Sequence, residues 1–130
     1  MDLKLFFEPI SIDPIAYPVT SFCSTIYVNN ELMPDHEDMD IAIIGLREYR
    51  GGTNSLGYAQ AADEVRKQLY SLKKGTGRFK IVDLGNFRNG PEWQDTILRL
   101  KEVCGYLLEK DILPILIGGT HDLDYGQYLG

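Results

Sequence analysis

The chain has 130 residues, 44% hydrophobic and 25% charged, the proportions of one soluble globular domain with a real core. Its formal net charge of -6, from 19 acidic against 13 basic residues, opposes the positive footprint of a nucleic-acid or anionic-membrane binder. No apolar stretch approaches the roughly 18 residues of a membrane span, and the opening Met1 to Pro9 lacks a basic n-region and a long apolar h-region, so a cytoplasmic location is expected.

The first 39 residues read as an irregular amino-terminal arm. Pro9, Pro14 and Pro18 punctuate short apolar pieces, Leu3 to Phe7 and Thr25 to Val28, which predict one or two short edge strands. Cys23 and Cys104 are far apart and in no Cys-x-x-Cys spacing, which predicts reduced, buried thiols. The acidic run Asp35 to Asp40 contains His36; close-packed carboxylates repel, so a solvated loop is expected there and not a metal ligand.

From Asp40 the pattern becomes regular. Ile41 to Gly45 is a short continuous apolar run, as in a strand covered on both faces. A glycine-rich loop, Arg47 to Gly57, leads into a helix predicted from about Ala59 to Leu72, with Ala62, Val65, Leu69 and Leu72 as its apolar stripe. A second strand is predicted over Phe79 to Leu84, closing on Gly85. The next helix has Asn89 and Gly90 before it, Pro91 at its first turn and the stripe Trp93, Ile97, Leu100, Cys104, Leu107, Leu108, and stops near Lys110. A third strand spans about Leu113 to Ile117, and Leu123 to Gly130 reads as the first turns of another helix. Strand, helix, strand, helix, strand is the order of right-handed parallel crossovers, hence an α/β sheet.

In parallel sheets ligand sites gather at the carboxyl ends of strands, which singles out Gly118-Gly-Thr-His121-Asp-Leu-Asp124. The two glycines let the backbone turn sharply and aim the imidazole of His121 above the sheet. His121 with Asp122 and Asp124 would suit Mn²⁺, Fe²⁺ or Zn²⁺; the alternative is a hydrogen-bonded loop histidine with an aspartate helix cap. Arg47, Arg50 and Asn54 share the same rim, where a guanidinium could recognise a substrate carboxylate, although polar residues and glycines are also what loops contain. Asp83 stands inside an apolar strand and needs a partner, whereas Glu64, Arg66 and Lys67 read as a solvated helix face. Tyr125 and Tyr128 read as packing residues. No Gly-x-Ser-x-Gly elbow announces a nucleophile.

Leu113 to Asp122 resembles the Gly-Gly-Asp-His motif of the ureohydrolase family, which comprises arginase, agmatinase and formimidoylglutamase. Ile43-Ile-Gly-Leu-Arg47 with its glycine-rich loop, the helix Ala62 to Tyr70, and Val82-Asp-Leu-Gly-Asn86 are similar to the family's first strand, first helix and second strand, in the family's order. The resemblance implies an arginase/deacetylase-like, three-layer α/β/α domain with a parallel sheet of about twice the strands read here. It makes residues 40–130 the front half of that domain, truncated at the carboxyl end. It also implies that His121 is the first ligand of a two-manganese centre activating a water for attack on a guanidino, amidino or formimino carbon. Asp122 and Asp124 would be outer contacts or further ligands, and Arg47, Arg50 and Asn54 candidates for the substrate rim. Thr120 stands where the motif has aspartate, and Asp122 where it has serine or asparagine, so substrate choice does not carry over. The family's Asp-x-His-x-Asp ligand motif does not occur in this chain, and Asp-x-Asp spacing, which the family carries downstream of the glycine pair, occurs at Asp38 to Asp40 and Asp122 to Asp124.

The expected function is the amino-terminal portion of a binuclear-manganese hydrolase, inactive as these residues alone. A homo-oligomer, or self-association through an exposed sheet edge, is expected. The competing reading is a non-catalytic α/β scaffold or small-ligand module that closes as a stable monomer. A flavodoxin-like nucleotide binder would need a phosphate loop after the first strand, which Arg47 to Gly57 supplies only loosely.

Overall fold

The computed structural model describes residues 1–12, 16–47, 61–75 and 77–118. Among these, two short strands, β1 (Phe7–Glu8) and β2 (Ile26–Val28), precede three longer ones, β3 (Ile41–Leu46), β4 (Ile81–Phe87) and β5 (Leu113–Gly118). Helix α1 (Ala61–Ser71) lies between β3 and β4, and α2 (Trp93–Glu109) between β4 and β5. β3 is central, with β4 and β5 parallel to it on either side.

The arm covers the outer edge of β4 in two pieces: β2 pairs parallel with Ile81 to Asp83, and β1 pairs antiparallel with Asn86 and Phe87. Leu3–Leu5 and Phe22–Thr25 are 3₁₀ turns. Only Phe7 of the predicted Leu3 to Phe7 piece is therefore in a strand. Asn29 fills the gap between the two pieces, its N–H donating to the Asp83 carbonyl at 3.0 Å and its Nδ2 to the Leu84 carbonyl at 2.9 Å.

The faces of β3 explain the layers. Ala42, Ile44 and Leu46 pack with Val82, Leu84 and Phe87 under the α2 residues Ile97, Leu100, Val103, Cys104 and Leu107. Ile43 and Gly45 face the other way, toward α1, giving the three-layer α/β/α order. Every residue of β3 after Ile41 is buried, as the continuous apolar run predicts. No helix among the described residues is long and apolar enough to cross a membrane.

Three boundaries differ from expectation. β4 starts at Ile81, leaving Phe79 exposed, and it runs through Gly85 to Phe87, because Gly85 forms a bulge instead of an end. α2 begins at Trp93, after Pro91, and its start is fixed by the Glu92 N–H donating to Asp95 Oδ2 at 3.0 Å. The Gly90 N–H donates to Thr96 Oγ1 at 2.8 Å, and Thr96 is buried beside the predicted stripe. Leu108 is exposed, and Val103 takes its place in the core. Asp95→Ala removes the carboxylate that satisfies the orphan N–H and is expected to lower unfolding stability by about 1 kcal/mol, read by urea titration. The run Asp35 to Asp40 is largely exposed, as expected, but the His36 side chain is only 15% exposed: its Nε2 lies 2.7 Å from the hydroxyl of Tyr106 on α2, with the rings packed edge to face.

Candidate active-site rim

The carboxyl ends of β3, β4 and β5 lie at one end of the sheet, because the three strands are parallel. Of the residues expected there, Arg47 is described; Arg50, Asn54, His121, Asp122 and Asp124 lie outside the described residues, as do Ala59, Tyr125, Tyr128 and the helix predicted from Leu123. Gly118, the first of the glycine pair, has φ +84°, and a Cβ there would sit 3.0 Å from the Leu46 carbonyl and 3.3 Å from the Ala62 nitrogen. Position 118 thus requires glycine for both its dihedral and its space. Arg47 donates from Nη1 to Glu8 Oε2 at 3.2 Å, and Arg88, following β4, approaches Glu8 Oε1 at 3.5 Å. One carboxylate of the arm therefore brackets two cations at the rim.

Beneath the rim, on the α1 side, is a buried polar network centred on Arg66. Its Nε and Nη2 donate to the two oxygens of Asp83 at 2.8 and 2.9 Å, a bidentate pair with both side chains fully buried. Nη2 also donates to the Gly85 carbonyl at 2.9 Å, and Nη1 to Asn86 Oδ1 and to Asp63 Oδ1. All five guanidinium donors are used. Asp83 is equally saturated, accepting also from the Gly85 N–H at 3.0 Å and from the Tyr70 hydroxyl. Gly45 of β3 is the clearance for this arrangement, since a Cβ there would lie 2.7 Å from Arg66 Nη1.

Two expectations are corrected here. Arg66 is no part of a solvated face, and the buried face of α1 is Ala62, Arg66 and Tyr70, whereas Val65 and Leu72 are exposed. The reason is the bulge: β4 has one more residue than β3 between Ile43↔Asp83 and Ile44↔Gly85. The extra residue shifts the alternation so that Asp83 and Asn86 both face α1 while Phe87 rejoins the α2 core. Two buried polar groups on that side demand an equally polar helix face. The need of Asp83 for a partner was the available signal, and it is met by Arg66 and Tyr70.

Burial opposes the charge on Arg66, but Asp83 outweighs it through its hydrogen bonds and its charge, so the guanidinium is held more firmly protonated than usual. Burial first, and Asp83 second, push the Tyr70 hydroxyl well above the ordinary tyrosine value. Burial pushes the Cys104 thiol from 9.0 up to about 11, and burial with Asp83 raises Cys23. Groups with raised values keep protons that the unfolded chain releases, so their contribution is intact below the unfolded values and is lost as pH rises through the folded ones. The urea midpoint is expected to hold to about pH 8.5 and fall steadily by pH 10.5, with Cys104→Ala and Tyr70→Phe each flattening the fall. A midpoint constant across that window would contradict it.

Among the described residues no three His, Cys, Asp or Glu side chains are grouped so as to hold a metal ion.

Comparison with known proteins adds the following. The profile of the arginase family matches residues 39–130. Formimidoylglutamase of Streptococcus gordonii is 28% identical over 109 residues, covering 79% of this chain and 33% of the relative. Formimidoylglutamase of Salmonella paratyphi C is 24% identical over 110 residues, covering 82% and 35%. A crystal structure of a Trypanosoma cruzi formiminoglutamase variant with manganese superposes with a TM-score of 0.63 at 23% identity, over 72% of this chain and 35% of that one, a likeness of fold. The chain spans about a third of the length of the curated relatives it matches.

Proposed function

Because this chain belongs to the arginase family, we propose that it forms the front part of an enzyme that hydrolyses linear C–N bonds of small guanidino, amidino or formimino compounds. A formimino substrate is favoured because the curated relatives matched here are formimidoylglutamases. The observation that carries the reading is the family match running from Met39 through the Gly-Gly-Thr-His121 segment. In this reading His121 is one metal ligand, Asp122 and Asp124 are further or supporting donors, and Arg47, Arg50 and Asn54 stand at the substrate rim. The solved relative with manganese supports that ion as the cofactor. Manganese, when bound, supplies an activated water. Its donor set is not among the described residues.

The residues of this chain contribute position. Gly118 fixes a positive φ at the end of β5, and Glu8 restrains Arg47. One histidine segment cannot clamp two ions, so these 130 residues alone are inactive in this reading. β5 is the outer strand of the described sheet, and its side chains Leu113 and Ile115 are 55% and 41% exposed. That exposed apolar face supports association there, whether with further chain or with another copy.

The test is a chimera in which this chain replaces the matched front third of the Streptococcus gordonii formimidoylglutamase. Hydrolysis of formiminoglutamate with added Mn²⁺ is expected, with loss of about a hundredfold or more in His121→Ala, the scale on which a metal-centre ligand matters. A folded chimera whose activity is unchanged by His121→Ala would remove His121 from the site. A folded chimera without activity would instead favour a non-catalytic module.

A further inference from the structure

The arm forms a second concavity that the hydrolase reading does not use. A cleft of about 380 Å³ opens beside β1 and the end of β4, on the sheet edge opposite β5. That volume lies within the roughly 300–1,000 Å³ of small-molecule sites. Lys4, Arg88 and Glu31 line it together. Lys4 makes its one hydrogen bond through the backbone, and neither its ammonium nor the Glu31 carboxylate has a partner among the described residues. Arg88 reaches only Glu8 with its side chain, at 3.5 Å, leaving most of its donors unused.

Opposite charges thus face one cleft without meeting each other. A buried amide sits among them: Asn29 is 2% exposed and lines the same cleft. Its Nδ2 is committed to the Leu84 carbonyl, while Oδ1 accepts no hydrogen bond among the described residues. An acceptor buried without a donor is costly, so a ligand N–H placed there is favoured. The remaining wall is apolar, formed in part by Phe7, Leu32 and Met33.

We propose that this cleft binds a free α-amino acid with an apolar side chain. The carboxylate meets Lys4 and Arg88, for which guanidinium geometry is suited. The ammonium meets Glu31 and Asn29 Oδ1, and the side chain lies against Leu32 and Met33. Both charges of the zwitterion are needed, because each answers a different unpaired group.

The test is calorimetric titration of the purified chain with L-methionine, beside methioninamide, which lacks the carboxylate, and N-acetylmethionine, which lacks the ammonium. Saturable binding of methionine is expected, at least about tenfold weaker for each blocked form, a loss of one charge-assisted contact or more. Arg88→Gln and Glu31→Gln are each expected to weaken methionine by a similar factor, with the Asn29 side-chain amide resonances shifting on binding to the unsubstituted chain. No saturation up to about 10 mM methionine, or undiminished affinity for either blocked form, overturns the proposal.

Discussion

Arg66→Ala is expected to lower unfolding stability by about 3–5 kcal/mol, the cost of stranding one partner of a buried ion pair. That is a large part of the roughly 5–15 kcal/mol that holds a typical domain together. The substitution leaves Asp83 buried with only the Tyr70 hydroxyl and the Gly85 N–H, and it frees the acceptors of Asn86 and the Gly85 carbonyl. Arg66→Lys should recover only part of the loss. An ammonium has three donors on a point charge and cannot span both Asp83 oxygens, the Gly85 carbonyl and Asn86 as the planar fork does.

The double substitution Arg66→Met with Asp83→Leu separates the stranded charge from lost packing. It removes both ions and fills the space with apolar atoms, so it should be less destabilising than Arg66→Ala alone. Urea titrations followed by circular dichroism read all three. An Arg66→Ala loss below about 1 kcal/mol, the range of exposed pairs, would mean that the network is solvated and not a fixed support of the rim.

The sequence already announces β3, α2 and β5, because each is a long apolar run or stripe bounded by glycine, proline or charge; burial accounts for β3 and α2, whereas Leu113 and Ile115 of β5 stay largely exposed. The arm is harder, since β1 and β2 are two and three residues long and exist only because β4 offers an edge to pair with. The buried face of α1 departs from the sequence pattern for a related reason. Val65, Leu69 and Leu72 form an apolar stripe at helical spacing, but the sheet beneath presents Asp83 and Asn86, and that polar demand overrides the pattern. The half-burial of His36 is likewise not legible from its acidic neighbours, because its partner Tyr106 lies seventy residues away on α2. Of the candidate site, the strand ends and the position that requires glycine at Gly118 are legible from glycine placement. The roles of Glu8, Arg66, Tyr70 and Asn86 were not, because each depends on a contact that only the fold creates.

Gly85→Ala is the second substitution expected to have a large effect, about 2–5 kcal/mol from backbone strain together with displacement of a packed neighbour. Gly85 has φ +98°, and an added Cβ would strike the backbone carbonyl of Glu8 in β1. Because the bulge at Gly85 sets which way Asp83 and Asn86 point, relieving the clash by straightening β4 would turn Asn86 away from Arg66. Relieving it by moving β1 would release Glu8 from Arg47 and Arg88 instead. Hydrogen exchange distinguishes the two routes: displacement of β1 exposes the Arg88 N–H, which donates to the Phe6 carbonyl at 2.8 Å, before the amides shared by β3 and β4. Gly77→Ala is the control, since among the described residues its added Cβ meets only the Phe79 ring at 3.5 Å, an ordinary contact, and it should change stability by no more than about 0.5 kcal/mol. If Gly85→Ala behaves like Gly77→Ala, the bulge does not set the phase of β4, and the orientation of Asp83 and Asn86 toward Arg66 must be fixed from α1 alone.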